Sequence, residues 1–308
     1  MEYSGEEYNL KHIYIEGELY FMEKIALITD SACDIDTETV KKYNIRVLPF
    51  KIIYSDREYT DKIDITPEEI YNNMINEIPK SSLPAMEDIE TVYKSLAEEN
   101  YTHVIAIVIS SGLSGTYNAF KLVSEQFPNI RSYVYDTKST SVCEGIILKK
   151  CGECITAGKS FEEIVSCIPK IKNKMHFHFV FGTLEYAKKG GRIGRISGTI
   201  GEFLDIKPIV GFDDEYGQCF TYAKVRGRNK SLNKLVDIGK ERTEINNCDA
   251  YIVHGNSIED ATKVYETLNK LPGIKNVYLI GQISAIVGVY SGPGTIGVCY
   301  VENESVES

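Results

Sequence analysis

The sequence predicts an α/β fold in two domains, with a mainly parallel sheet between helices in the first and a mixed sheet in the second. Three observations support this prediction. From Lys24 onward, strand-like apolar runs alternate with helix-like segments, which is typical of a three-layer α/β/α domain. After Lys174 the strand-like runs are longer and the helices fewer. A chain of 308 residues is longer than a typical single domain and too short for three typical domains.

The elements of the first domain follow from the hydrophobic pattern. Short runs rich in β-branched residues predict buried strands, and apolar residues on one face predict helices. The predicted strands are 25–29, 45–54, 103–110 and 131–136. The predicted helices are 36–44, 84–100, a helix that opens at 112–116 and runs to 127, and two helices within 141–174 that separate at Gly158.

The second domain is expected to contain strands at 176–181, 218–225, 250–254, 276–280 and 297–301. We place the domains at 22–170 and 171–308. Residues 1–21 are acidic and tyrosine-rich and precede an apparent natural start at Met22. We treat them as an N-terminal extension, either disordered or appended, to which no function is assigned.

Composition excludes several classes of protein. The net charge of −10 argues against a nucleic-acid binder, which needs a basic footprint. The longest apolar runs are far too short to span a bilayer, so no transmembrane segment is expected. Eight cysteines in 308 residues lack the density of a secreted disulfide scaffold, and no signal peptide precedes them. These features predict a cytoplasmic protein.

Hydroxyl groups and glycines cluster in SSGLSGTY at 110–117, between a predicted strand and a predicted helix. Free N–H groups at a helix N-terminus attract anions, and hydroxyls add donors. The ordinary interpretation is one capping hydroxyl with glycines for the turn. Because the segment holds more hydroxyls than one cap needs, we expect an anion cradle here.

Three segments in a fixed order carry a family resemblance. They are SSGLSGTY at 110–117, TLEYAKKGGRIGRISGTIGEFLDIKPIV at 183–210 and SGPGTIGV at 291–298. Together they closely resemble the DegV family of bacterial fatty-acid-binding proteins, over nearly all of 24–302. The glycines of 292–297 have the spacing of the G-x-G-x-x-G dinucleotide-binding motif. We reject a dinucleotide site here, because proline fills the second position and only 11 residues follow, too few for a βαβ unit.

The resemblance implies a DegV-like fold that binds a long-chain fatty acid in an apolar tunnel, without a metal, a cofactor or catalytic residues of its own. It also implies a separate fatty-acid kinase, to which the bound acid is presented. The resulting acyl-phosphate would enter phospholipid synthesis, with an acyltransferase as a further partner.

The resemblance also assigns the site residues. The carboxylate is expected at Ser81, Ser111, Ser114 and Tyr290. Tyr290 replaces a histidine common in the family, and a tyrosine donates a hydrogen bond without normally carrying a positive charge. Secondary candidates for the head group are Ser82, Ser110, Gly115, Thr116 and Ser291.

An apolar tunnel suits this ligand, because each buried methylene contributes about 0.8 kcal/mol. Large apolar residues alternate at Met175, Phe177, Phe179 and Phe181, although an ordinary core has the same periodicity. The expected tunnel wall consists of Phe179, Phe181, Ile200, Phe203, Leu204 and Ile209.

Basic residues form two clusters on this acidic chain, at 188–195 and 224–230. Basic side chains like these usually lie at the protein surface in contact with solvent and have no binding role. In the resembling family the Lys-Gly-Gly-Arg-Ile stretch borders the ligand mouth and the kinase-docking surface. Arg192 and Arg195 are therefore expected to serve partner docking.

Other motifs are interpreted as structural. Cys151 and Cys154 have redox-motif spacing but lie within a predicted helix, and His176 with His178 lacks a third metal ligand. The acidic loop from Asp30 to Asp36 is interpreted as a strand end followed by a capped helix.

Two alternative functions of the whole protein stay open. One is a small-molecule transferase or hydrolase that uses the same anion cradle, and the other is a lipid sensor or storage protein without a kinase partner.

Overall fold

The computed structural model describes residues 12–15, 18–21, 23–199 and 205–303, with the backbone alone for 12–15, 18–21 and 197–199. The strands are β1 His12–Ile15, β2 Glu18–Phe21, β3 Ile25–Asp30, β4 Arg46–Leu48, β5 Lys51–Ile53, β6 Glu58–Thr60, β7 Lys80–Ser82, β8 His103–Val108, β9 Arg131–Asp136, β10 Met175–Val180, β11 Ile206–Phe212, β12 Cys219–Arg226, β13 Cys248–His254, β14 Ile274–Gln282 and β15 Ile296–Glu302.

The helices alternate with these strands along most of the chain. They are α1 Thr37–Lys42, α2 Pro67–Asn73, α3 Met86–Glu98, α4 Thr116–Ser124, α5 Val142–Thr156, α6 Phe161–Asn173, α7 Glu185–Lys189, α8 Arg228–Thr243, α9 Ile258–Leu268 and α10 Ala285–Ser291, with a 3-10 helix at Gly194–Thr199. In the part of the chain that the structure describes, no helix is long and apolar enough to cross a membrane.

The first domain has the expected three layers. Its central sheet has the order β4-β3-β8-β9, and every neighbouring pair is parallel. One face packs against α3 and α4, where Tyr93, Leu96 and Phe120 are fully buried. The other face packs against α5 and α6. The parallel sheet directs the loops after β3 and β8 to the same edge, which faces the second domain.

The predicted strand 45–54 is wrong, because the chain divides it between two sheets. β4 joins the parallel sheet, whereas β5 is the centre of a three-stranded antiparallel sheet of order β6-β5-β7. Pro49 lies between them and has no N–H to continue a ladder. The unpredicted helix α2 begins with a capping box of Thr66 and Glu69 and has Pro67 in its first turn. This small sheet carries Ser81 to the domain interface.

The second domain has the expected mixed sheet, of order β12-β11-β10-β15-β13-β14. Only β13 and β14 are parallel, and the other pairs are antiparallel. Helices α8 and α9 cover one face through a core that includes Leu235, Ile252 and Tyr300. The opposite face lies against the first domain, where Cys299 of β15 contacts Cys143 of α5.

Two features refine the expected domain limits. Strands β1 and β2 pair as an antiparallel hairpin inside the expected extension at 1–21, from His12 opposite Phe21 to Ile15 opposite Glu18. Helix α6 continues to Asn173, past the expected boundary at 170, and β10 begins at Met175. We propose that the domain boundary lies at Lys174, between the helix and the strand.

Candidate functional site

A cavity of about 790 Å³, including its open mouth, lies between the two domains. The first domain lines it with Phe50, Ser81, Ile109, Leu113, Ser114, Thr140 and Ser141. The second domain lines it with Phe177, Phe179, Phe181, Ala187, Arg192, Phe212, Cys219, Val253, Ile283, Ile286, Val287, Tyr290, Ser291, Thr295 and Gly297.

Four phenylalanines form the largest apolar part of the wall. Phe177, Phe179 and Phe181 alternate along β10 and the residue after it, and Phe212 ends the neighbouring β11. Ring centroids of Phe179 lie 5.6 Å from Phe177, 5.1 Å from Phe181 and 5.4 Å from Phe212. Such aromatic contacts give the wall a fixed shape. The structure thus brings Phe179 and Phe181 to the cavity as expected.

Ile209, another expected wall residue, does not line the cavity. Ile209 is buried against α8 and the core behind the sheet, whereas its neighbour Val210 faces the phenylalanines. Successive strand residues face opposite sides, so the two cannot share the cavity. The pairing of β11 with β12 shifts register between Ile209 and Val210. The sequence alone therefore did not show which of the two residues faces the cavity. Ile200, Phe203 and Leu204 lie outside the described residues.

Hydrogen-bonding groups gather at one end of the cavity in what we call the donor cluster, which consists of Ser81, Ser114, Arg192 and Tyr290. The hydroxyls of Ser81 and Tyr290, 209 positions apart, share a hydrogen bond of 2.5 Å. Ser114 Oγ lies 2.8 Å from Thr116 Oγ1 and accepts the N–H of Thr116 at 3.3 Å. All four side chains of the cluster line the cavity.

Arg192 connects the parts of the donor cluster. Its guanidinium carbon lies 4.8 Å from the centroid of the Tyr290 ring, within cation–π distance. Nε donates to the carbonyl of Leu113 at 3.3 Å, and Nη1 donates to the carbonyl of Gly190 at 2.7 Å. A Cβ at Gly190 would lie 2.3 Å from the Tyr290 ring, so glycine is needed for this packing. Arg192, expected to serve docking alone, therefore lies on the cavity rim.

Arg195 occupies a different place from Arg192. Its side chain is exposed, and the guanidinium carbon lies 5.1 Å from the centroid of the Tyr216 ring. It is not among the residues that line the cavity. Its expected role in docking stays a prediction.

Ser111, which the resemblance assigned to the carboxylate, does not line the cavity. Its hydroxyl accepts a hydrogen bond from Lys138 Nζ at 3.1 Å, and its N–H donates to Asp136 Oδ1 at 3.1 Å. Lys138 and Asp136 also form an ion pair of 2.9 Å. This pair at the end of β9 turns Ser111 away from the cavity. Ser114 is the serine of the loop that lines it.

Ser110 joins the two domains and does not line the cavity, contrary to its expected secondary role. Its buried hydroxyl donates to the carbonyl of Gly217 at 2.8 Å and accepts the N–H of Gly112 at 3.0 Å. A Cβ at Gly112 would lie 2.2 Å from the carbonyl oxygen of Tyr216, so only glycine allows this approach. The contact fixes the loop against the turn between β11 and β12.

The remaining secondary candidates are scattered. Ser82 is exposed and donates to the carbonyl of Leu83 at 3.3 Å, which leaves it off the cavity wall. Gly115 is the N-cap of α4 and is also not a lining residue. Thr116 is fully buried behind Ser114. Ser291 lines the cavity next to Tyr290 at the end of α10.

Buried carboxyl groups lie beside the site and were not predicted as a group. They are Asp30, Asp34, Asp61 and Glu144, accompanied by Lys62, which donates to the carbonyl of Cys33. Burial raises the pKa of Asp30 to about 7 and that of Asp61 to about 6. Burial also raises the pKa of Asp34 and, well above its usual range, that of Glu144.

These carboxyl groups help to dock the second domain. Asp34 accepts the backbone N–H of Ser284 at 2.8 Å and the hydroxyl of Ser141, which lines the cavity. Ser284 is the N-cap of α10, the helix that carries Tyr290. Asp34 therefore holds α10 in place. The acidic loop therefore lies at the domain interface, after β3 and before α1.

The motifs interpreted as structural have ordinary surroundings. Cys151 lies buried in α5, where burial raises its pKa. His176 contacts Glu302 at 2.7 Å, and burial lowers the pKa of His178 to about 4. Within 23–199 and 205–303, no group of three or more His, Cys, Asp or Glu residues could hold a metal ion.

Comparison with known proteins places this geometry in a family. Residues 24–303 match the family model described as an uncharacterised protein of the DegV family. The chain belongs to the DegV family. A DegV domain-containing protein of Clostridium acetobutylicum is 48% identical over 281 residues, which are 91% of this chain and 100% of the relative.

Solved DegV structures share the whole fold. A fatty acid binding DegV family protein of Streptococcus agalactiae superposes with a TM-score of 0.84 at 28% identity, covering 92% of this chain and 100% of the other. A stearic-acid-binding protein of Eubacterium ventriosum has a TM-score of 0.78 at 27% identity, covering 91% and 98%. The two-domain DegV fold expected from the sequence is therefore confirmed.

Proposed function

We propose that the chain binds a long-chain fatty acid in the cavity between its domains, with the carboxylate at the donor cluster. The observation that carries this proposal is one cavity with an aromatic wall and a group of hydroxyls and a guanidinium at one end. A DegV family protein and a stearic-acid-binding protein of the same fold, both described as binding fatty acids, give independent support.

The two parts of the cavity match the two parts of a fatty acid. Each methylene that leaves water for the apolar wall contributes about 0.8 kcal/mol. The carboxylate would lose several kcal/mol on leaving water unless new hydrogen bonds replace its solvent. Ser81, Ser114 and Tyr290 supply neutral donors, and Arg192 supplies a positive charge at the rim.

The position of Arg192 predicts an effect on lipid affinity. Replacing Arg192 with glutamine should weaken binding of palmitic acid roughly tenfold, because a charge-assisted hydrogen bond contributes about 1.5–3 kcal/mol and exposure reduces it. Arg195→Gln is the matched control, since Arg195 is exposed and lies off the cavity. Isothermal titration measures both affinities. An equal loss in the two variants would show a general surface charge effect.

We further propose that the bound acid is presented to a separate fatty-acid kinase, which converts it to an acyl-phosphate. The donor cluster supports this because one of its members, Arg192, lines the cavity and is also exposed to solvent. A carboxylate held there is within reach of a partner's nucleotide. The chain acts as a carrier in this scheme and the kinase supplies the chemistry.

A test of presentation uses the lipid-loaded protein, ATP and a bacterial fatty-acid kinase. Acyl-phosphate, trapped as the hydroxamate, should form only when all three components are present. Formation without the kinase would favour the alternative that the chain is itself a transferase. No product with any kinase, combined with retained lipid binding, would favour a sensor or storage role, which Tyr290 in place of histidine makes a specific alternative.

A further inference from the structure

Phe177 lies at the end of the cavity away from the donor cluster. At the near end, Phe181 precedes Gly182, where a Cβ would lie 2.3 Å from the carbonyl oxygen of Pro293, three residues after Tyr290. Phe177 lies four residues earlier on the same side of the strand, about 13 Å away at roughly 3.3 Å per residue. A fatty acid with its carboxylate at the donor cluster would therefore direct the end of its acyl chain toward the Phe177 ring.

The Phe177 ring lies directly over Gly297 of the neighbouring strand β15. A Cβ at Gly297 would lie 2.8 Å from Cε2 of Phe177, 3.0 Å from its Cζ and 3.0 Å from Cγ2 of Val253. On another side, the ring of Phe212 stacks at 6.2 Å with an interplanar angle of 25°. The absence of a side chain at position 297 therefore determines how far the ring withdraws from the cavity.

We propose that Phe177 and Gly297 together set the longest acyl chain that the cavity accepts. The inference rests on the proposed fatty-acid binding and adds the residues that select among chain lengths. Each methylene that the Phe177 ring keeps out of the apolar cavity contributes about 0.8 kcal/mol less to binding, which is about fourfold in affinity. A two-carbon step then changes affinity by roughly 15-fold.

The two residues predict shifts in opposite directions. Phe177→Ala removes the ring and should move the preferred ligand to an acid at least about two carbons longer, with Phe177→Leu in between. Gly297→Ala adds a methyl that pushes the ring into the cavity and should move the preference to a shorter acid. Neither change touches the donor cluster.

The experiment is native mass spectrometry of each full-length variant after incubation with an equimolar mixture of lauric, myristic, palmitic, stearic and arachidic acids. Phe127→Ala is the control for the first change, because Phe127 is half-buried and stacks on Tyr93 at 5.2 Å, far from the cavity. Gly211→Ala is the control for the second change. Its Cβ would lie 3.2 Å from the Phe220 ring and 3.7 Å from the backbone carbonyl oxygen of Phe177, an ordinary contact that does not involve the Phe177 ring.

Opposite shifts with unchanged controls would support the inference. An unchanged chain-length profile in Phe177→Leu and Gly297→Ala, both with bound acid, would overturn it while the proposed fatty-acid binding stands. If the wild-type chain bound none of the acids, the proposed function would fail and this inference with it.

Discussion

Replacing Ser114 with alanine is expected to weaken fatty-acid binding by roughly 10- to 150-fold. The hydroxyl lines the cavity in the donor cluster, and a hydrogen bond to a charged group contributes about 1.5–3 kcal/mol. The other hydroxyl contact of Ser114 is with Thr116 in its own loop, so the fold should be retained. Isothermal titration with palmitic acid measures the affinity, and circular dichroism checks the fold.

Ser111→Ala provides a matched control within the same loop. Its hydroxyl accepts from Lys138 and does not line the cavity, so the affinity should change by less than about threefold. Equal losses in both variants would contradict the placement of the carboxylate. So would an unchanged affinity in Ser114→Ala.

Replacing Glu144 with glutamine is expected to stabilise the protein. Glu144 is fully buried in α5, and among the described residues neither carboxyl oxygen has a hydrogen-bond partner. Burial raises its pKa well above 4.5, with Asp30 and Asp34 adding to the effect. The free energy of unfolding should rise by about 1–3 kcal/mol near neutral pH, because glutamine keeps the shape without an ionisable group.

The pH dependence distinguishes this effect from simple repacking. The unfolded chain releases the proton of Glu144 near 4.5, whereas the folded chain retains it, so unfolding becomes more favourable as pH rises. The advantage of the variant should therefore grow with pH above 4.5, by at most about 1.4 kcal/mol per unit. Urea denaturation between pH 5 and 8 measures it.

Glu153→Gln is the control for Glu144→Gln, because Glu153 lies on the same helix but pairs with Lys150 at the surface at 2.9 Å. The difference in unfolding free energy between Glu153→Gln and the wild type should stay nearly constant across the same range, because both keep Glu144. A Glu144→Gln variant that is less stable than the wild type at every pH would show that the buried carboxyl has a stabilising partner.

The fold was largely predictable where a buried strand leaves a local signature. The expected strand 131–136 coincides with β9, and the helices on either side of Gly158 were found close to their expected limits. Helix α8 was missed, because charged residues obscure the spacing of Leu232, Leu235 and Ile238. The break between β4 and β5 was missed because the apolar run continues through both strands, although Pro49 between them was a visible signal.

The site was predictable only in part. Ser81 and Tyr290 are 209 positions apart, and no local pattern joins them, so their pairing rested on the family resemblance. The resemblance could not show which serine of the loop faces inward, because the Asp136–Lys138 pair decides the direction of Ser111. The position of Glu144 beside the acidic loop likewise arises from long-range packing of α5, which the sequence does not display.

Native mass spectrometry of the purified full-length protein, followed by denaturing extraction of any bound small molecule, tests fatty-acid binding most directly. We expect one long-chain fatty acid per chain, either co-purified or acquired on incubation with palmitic or oleic acid. A mass equal to the polypeptide alone, unchanged after incubation with several long-chain acids, would contradict it.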